Sequence, residues 1–169
     1  MHKSILLLLL LFSNGLIAQK GYTVKSGEIS FEFVDKGVIG TIGNLFATSN
    51  IDFDNPEASV FSGSVETETL DTNNGIRNWS LKNRKYFDAD NHPKIKFESK
   101  TVKAEASNWK VTGPLTIKGI SKNITITFEK KGNQLIGTTE LYCYDFDIKI
   151  KKKREDNLVK VKLVFELKS

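Results

Sequence analysis

The sequence predicts an all-β domain carrying one short helix, folded as a sandwich or a closed barrel. Two observations predict it. Apolar and polar residues alternate along most of the chain, interrupted at regular intervals by Gly, Asn, Asp or Pro. Helical spacing occurs in one place only, between Asn73 and Asp88. Closing such a sheet would remove the exposed strand edges that invite aggregation.

Taken in order, Tyr22 to Val24 reads as a first short strand. Ile29, Phe31 and Phe33 alternate with Ser30 and Glu32, and Asp35-Lys36-Gly37 turns the chain. Val38 to Phe53 contains Gly40 and Gly43 and reads as two strands or one bent strand. Asp54-Asn55-Pro56 is a turn, and Ala58 to Thr69 is strand. Asn73 and Asn74 are both candidate N-caps for a helix that ends by Asp88. In that helix Ile76, Trp79 and Tyr86 or Phe87 would form the apolar face. Pro93 biases His92 away from helical angles.

Ile95 to Val102 and Trp109 to Ile117 are strands, and Pro114 requires a bulge or edge position in the second. Gly119 marks a tight connection. Ile124, Ile126 and Phe128 share one face, and Lys131-Gly132-Asn133 turns. Leu135 to Tyr144 and Phe146 to Ile150 follow as strands. Glu155-Asp156-Asn157 reads as a hairpin turn, and Val159 to Leu167 is the clearest strand of all.

The chain has 169 residues, the length of one domain. Met1-His2-Lys3, the apolar run Ile5 to Phe12 and the exit Ser13 to Gln19 have the pattern of a secretory signal peptide. The run is too short to span a bilayer. Cleavage after Ala18, with Gly15 as the alternative, leaves residues 19–169 as the domain. No Cys stands near the boundary to carry a lipid, so the expected location is periplasmic or secreted. Cys143 is the only Cys, so no internal disulfide forms; a small core or cavity residue is the expected role.

The net charge of +5 becomes one less when Lys3 is removed with the leader. That mild excess, spread over strand faces, favours solubility and a loose attraction to anionic membrane surfaces. Its densest part is Lys149, Lys151, Lys152, Lys153 and Arg154, read as a solvated strand end. No nucleic-acid motif is present.

Catalytic chemistry has little support. His92 is the only His after the leader, and it lies in a polar loop without an evident partner. No spacing resembles a zinc site or a nucleotide loop, so neither a metal nor a cofactor is expected.

Three segments carry a family resemblance. They are Arg77 to Asp88, Asn91-His92-Pro93-Lys94-Ile95-Lys96-Phe97-Glu98-Ser99, and Val111-Thr112-Gly113-Pro114-Leu115-Thr116-Ile117-Lys118-Gly119-Ile120-Ser121-Lys122. In this order they resemble the YceI-like family of secreted bacterial lipid-binding proteins. The chain differs from that pattern at Asn78, Pro114 and Lys118, and in the reduced segment Tyr144-Asp145-Phe146-Asp147.

The resemblance implies a closed antiparallel lipocalin-like barrel of about eight strands, with one short helix inserted near residues 76–87. It also implies an apolar cavity for a polyisoprenoid or fatty-acyl amphiphile. The candidate cavity residues are Phe31, Phe33, Trp79, Phe87, Ile95, Phe97, Phe128, Phe146 and Phe165, and Arg77 is the candidate for the ligand headgroup. The rival reading is a barrel filled by its own side chains that binds a protein or envelope surface. Core and cavity wall are the same face of a barrel, so the residues leave that choice open, together with homodimer formation.

Overall fold

The computed structural model describes residues 21–169. The signal-peptide expectation for residues 1–18 lies outside the described residues. Ten antiparallel strands form one curled sheet: β1 (Thr23–Phe33), β2 (Val38–Ile42), β3 (Phe46–Ala47), β4 (Ser62–Glu66), β5 (Lys94–Glu98), β6 (Thr101–Glu105), β7 (Asn108–Ile117), β8 (Ile120–Lys131), β9 (Gln134–Tyr142) and β10 (Leu158–Lys168). The order is β2-β1-β10-β9-β8-β7-β5-β4-β3, with β6 also paired to β7.

The expected closure into an eight-stranded barrel is corrected here. The sheet is a lipocalin-like half-barrel, and its edge strands β2 and β3 share no ladder. Instead, short contacts span the seam. Thr41 and Asp71 exchange both backbone hydrogen bonds, at 2.8 and 3.0 Å, and the Glu66 amide donates to the Gly43 carbonyl at 3.1 Å. A ladder cannot form because the chain leaves strand geometry at Thr67, where a 3-10 turn over Thr67–Thr69 begins.

Two strand expectations also change. Ile95 to Val102 is not continuous. It breaks at Ser99, whose amide donates to the Phe61 carbonyl at 2.8 Å and whose hydroxyl accepts from the Phe61 amide at 3.0 Å. The break explains Pro114. Its neighbour Leu115 pairs with Phe97 of β5, whereas Thr112 pairs with Thr101 of β6, so Pro114 falls between the two partners. Phe146 to Ile150 is not a strand either. Cys143–Phe146 is a 3-10 turn, and the chain then runs irregularly to Arg154, where a second 3-10 turn over Glu155–Asn157 leads into β10.

Asn157, fully buried, holds that loop. Its side-chain carbonyl accepts from the amides of Ile150 (3.0 Å) and Lys151 (2.9 Å), and its amide donates to the carbonyls of Lys151 (3.1 Å) and Lys153 (2.6 Å). One side chain thus does for four backbone groups what a ladder would have done.

Helix α1 (Gly75–Lys82) is shorter than expected. Asn74 is the N-cap; its side chain accepts from the Arg77 amide at 2.9 Å. The helix stops at Asn83, and Tyr86 and Phe87 lie in the following turns, tied back by Phe87 N–H to the Leu81 carbonyl at 2.9 Å. Its exposed side is also reversed from expectation. Ile76 is 84% exposed and Trp79 70%.

Candidate ligand-binding cavity

The two ends of the half-barrel are filled differently. At one end Phe61, Val111, Phe128, Leu135, Phe165 and Leu167 are packed together with Ile51. Phe61 and Phe128 stack with ring centres 5.0 Å apart, Phe128 meets Phe165 at 6.0 Å, and Trp109 lies edge-on to Phe61 at 6.4 Å. This end is solid. From the other end a cavity of about 820 Å³ reaches down to this ring stack, so that Phe61, Phe128 and Phe165 form part of its lining. That volume falls within the range of small-molecule sites.

Three cross-strand pairs keep the rings out of the hollow. Phe31 stands opposite Gly40, Phe165 opposite Gly27, and Phe128 opposite Gly137. A Cβ on these glycines would lie 2.5, 2.6 and 2.5 Å from the facing ring. Each ring therefore leans along the sheet over a missing side chain instead of standing into the lumen.

Of the residues anticipated from sequence, Phe31, Phe33, Phe87, Ile95, Phe97, Phe128 and Phe165 line the cavity, and so does Arg77. Two do not. Trp79 points away from the cavity into solvent, because it occupies the outward side of α1. Phe146 is buried behind the rim, packed with Cys143 and Ile148 under the 3-10 turn. Alternation already marked Val159 and Val161 as apolar, and both line the cavity. Leu70 and Leu81 were missed because they lie outside strands, where no period-two signal exists.

Arg77 is held from behind. Its Nε donates to Thr72 Oγ1 at 3.0 Å, and the Thr72 hydroxyl and amide both donate to Asn78 Oδ1, at 2.7 and 2.8 Å. Asn78 Nδ2 in turn donates to Asp71 Oδ1 at 2.7 Å. This bond, with the Asn73 amide, holds the Asp71 carboxyl below the usual carboxylate range. Among the described residues no carboxylate pairs with Arg77, and no Asp or Glu lines the cavity. Lys36 and Lys96 are the other charged residues of the lining. Strand alternation places Ile95 and Phe97 inward and Lys96 on the outer face, so Lys96 contributes backbone rather than charge.

Cys143 lines the cavity, with its Sγ 3.9 Å from Asn157 Oδ1; burial pushes its thiol up to about 12. Its burial in the wall matches the expected core or cavity role. His92 lies outside the lining, with its Nε2 3.9 Å from Asp88 Oδ2, beyond hydrogen-bond reach. Among the described residues, no three His, Cys, Asp or Glu side chains come together to hold a metal ion, and no helix is long and apolar enough to cross a membrane.

The basic run is a loop, not a strand end, and is partly neutralised, with Lys152 and Lys153 exposed and in no ion pair among the described residues. Lys149 meets Asp147 at 2.9 Å, Lys151 meets Asp35 at 2.6 Å, and Arg154 forms a two-pronged pair with Asp145 at 2.6 Å while lying over the Tyr142 ring.

Comparison with known proteins agrees with this geometry. A UPF0312 protein of Photorhabdus laumondii is 31% identical over 93 residues, 55% of this chain and 48% of that protein, so the match spans about half the relative's length. The crystal structure of Burkholderia cenocepacia BcnA superposes with a TM-score of 0.70 at 19% identity, covering 83% of this chain and 94% of BcnA. A polyisoprenoid binding domain from Saccharophagus degradans, implicated in plant cell wall breakdown, superposes with a TM-score of 0.60 at 11% identity, covering 88% and 98% of the two chains. The YceI-like domain model matches residues 22–168, nearly the whole described chain, and with the half-barrel and its apolar hollow this places the protein in the YceI-like family.

Proposed function

We propose that this protein is a periplasmic or secreted carrier that shelters a polyisoprenoid or similar amphiphilic chain in its cavity, without chemistry on it. The observation that carries the reading is the apolar hollow with a single backed arginine in its wall. The ligand class described for the Saccharophagus domain supports it through the shared fold. Each methylene transferred from water gains roughly 0.8 kcal/mol before ordering costs are subtracted. The Arg77 fork, with Nε already occupied by Thr72, is free to meet a polar headgroup through its Nη atoms. A hollow of this volume does not favour the rival reading of a barrel filled by its own side chains.

The test fills the hollow. Ile95 lines the cavity and is half-buried. Ile95→Trp narrows the hollow and is expected to reduce uptake of a fluorescent prenyl probe while the protein stays folded, with stability changed by no more than about 3 kcal/mol. Native mass spectrometry of the wild type should show a co-purified lipid. Unchanged probe uptake in the variant, or a wild type that takes up no probe and carries no lipid, would sink the reading.

A further inference from the structure

Helix α1 is amphipathic the wrong way round. An ordinary surface helix turns its apolar stripe to the core and its polar face to water. Here Arg77, Ser80 and Leu81 line the cavity, while Ile76 and Trp79, one turn apart on the same side, are 84% and 70% exposed. Single exposed apolar residues are unremarkable, but a large aromatic beside a cavity rim is another matter. Ile76 belongs to both surfaces, since it also lines the cavity, so the exposed apolar patch is continuous with the hollow.

Cations lie close to the patch in the chain. Arg84 and Lys85 follow the helix and are exposed, and neither forms an ion pair among the described residues. Lys36 lines the cavity from the exposed turn after β1. The acids nearby in sequence are mostly engaged: Glu68 pairs with Lys82 at 3.1 Å, Asp71 accepts from Asn78, and Asp88 is buried, leaving Asp90 exposed.

We infer that α1 is a membrane-docking element: Trp79 and Ile76 enter the interfacial region of a bilayer bearing anionic headgroups, with Arg84 and Lys85 on those headgroups, and so set the cavity against the lipid surface. Trp is suited to that depth because its ring is apolar and its N–H remains wet. A patch this small binds reversibly, through shallow insertion reinforced by charge. The inference rests on the carrier reading in one respect: a ligand that resides in bilayers gives the docking its use, since loading at the surface spares the tail a passage through water.

The experiment uses vesicles of phosphatidylethanolamine and phosphatidylglycerol and the whole mature chain. The wild type should co-sediment with them and less with neutral phosphatidylcholine vesicles, and transfer of a fluorescent prenyl probe from vesicle to protein should speed up with vesicle concentration. Trp79→Asn should lower vesicle binding and transfer rate about tenfold. Its equilibrium uptake of a short, water-soluble prenyl probe should be unchanged, because Trp79 lies outside the cavity wall. Arg84→Glu with Lys85→Glu should reduce binding to the anionic vesicles only.

Wild-type protein that ignores both vesicle types, or a Trp79→Asn variant that binds and transfers as well as the wild type, would overturn the inference and leave a protein surface as the occupant of that face. If the wild type takes up no soluble probe, the carrier reading falls instead. Co-sedimentation, which needs no cavity ligand, still decides docking.

Discussion

The two ends of this half-barrel are built from the same residue types with opposite results. At the solid end Phe128 meets both Phe61 and Phe165, and Trp109 and Phe53 extend the chain of rings with centres 5.0 Å apart. At the hollow end Phe31 and Phe33 line a cavity shared with Phe87, Ile95 and Arg77. The solid end is stabilised by ring-to-ring packing. The hollow end lacks partner atoms across the lumen, so its walls forgo those dispersion contacts. It is stabilised instead from its rim, by Asn157 and by ion pairs of the β9–β10 loop.

This contrast is open to direct attack. The largest effect is expected at the solid end: Phe128→Ala should cost about 3–5 kcal/mol in urea unfolding, because the ring is 2% exposed and contacts two others. The same truncation at Phe31 should cost about 1–2 kcal/mol, since that residue is only half-buried and so gives up less packing. Equal losses would mean the two ends do not differ in packing.

Next in size is Asn157→Ala. It strips partners from part-buried backbone amides at Ile150 and Lys151 and should cost about 1–3 kcal/mol, with faster hydrogen exchange confined to residues 143–157. Loss spread evenly over the sheet would show that the loop is not a separate rim structure.

The smallest effect concerns pH. The hydrogen bond from Arg154 holds the Asp145 carboxyl below the ordinary aspartate range. A carboxyl depressed in the folded state lends stability above its unfolded value and loses it as pH falls through the folded one. Asp145→Asn should therefore lower stability slightly at neutral pH, because half-exposed pairs contribute little, leave it unchanged in strong acid, and so flatten the acid limb of the stability curve by the same small amount. An acid limb identical to the wild type would place the titration elsewhere.

How much of this was legible in the sequence follows from which signals are local. The strands with clean alternation, β8 and β10, and a cap at Asn73 or Asn74 were readable because pattern and cap lie within a few residues; the structure picks Asn74. The Phe146 to Ile150 run misled because alternation says nothing about who supplies the hydrogen bonds; Asn157 does. Helical spacing grouped Ile76 with Trp79 correctly, but a period cannot say which way a face is turned. The half-open sheet depended on where Thr67–Thr69 leaves strand geometry. The hollow itself depended on pairing. Nothing in the linear order announces that Phe31 will lie over Gly40 or Phe165 over Gly27, yet those registers empty the lumen.

The seam between β2 and the segment after β4 has one more consequence. A closed ladder has a fixed circumference, because widening it would unzip a whole row of bonds. Here the two lips are stitched at a few points, Thr41 to Asp71 and Gly43 to Glu66, each stitch being worth only about 0.5–1.5 kcal/mol. The half-barrel is therefore a sleeve with a lacing, and widening it costs one weak stitch at a time rather than a whole row.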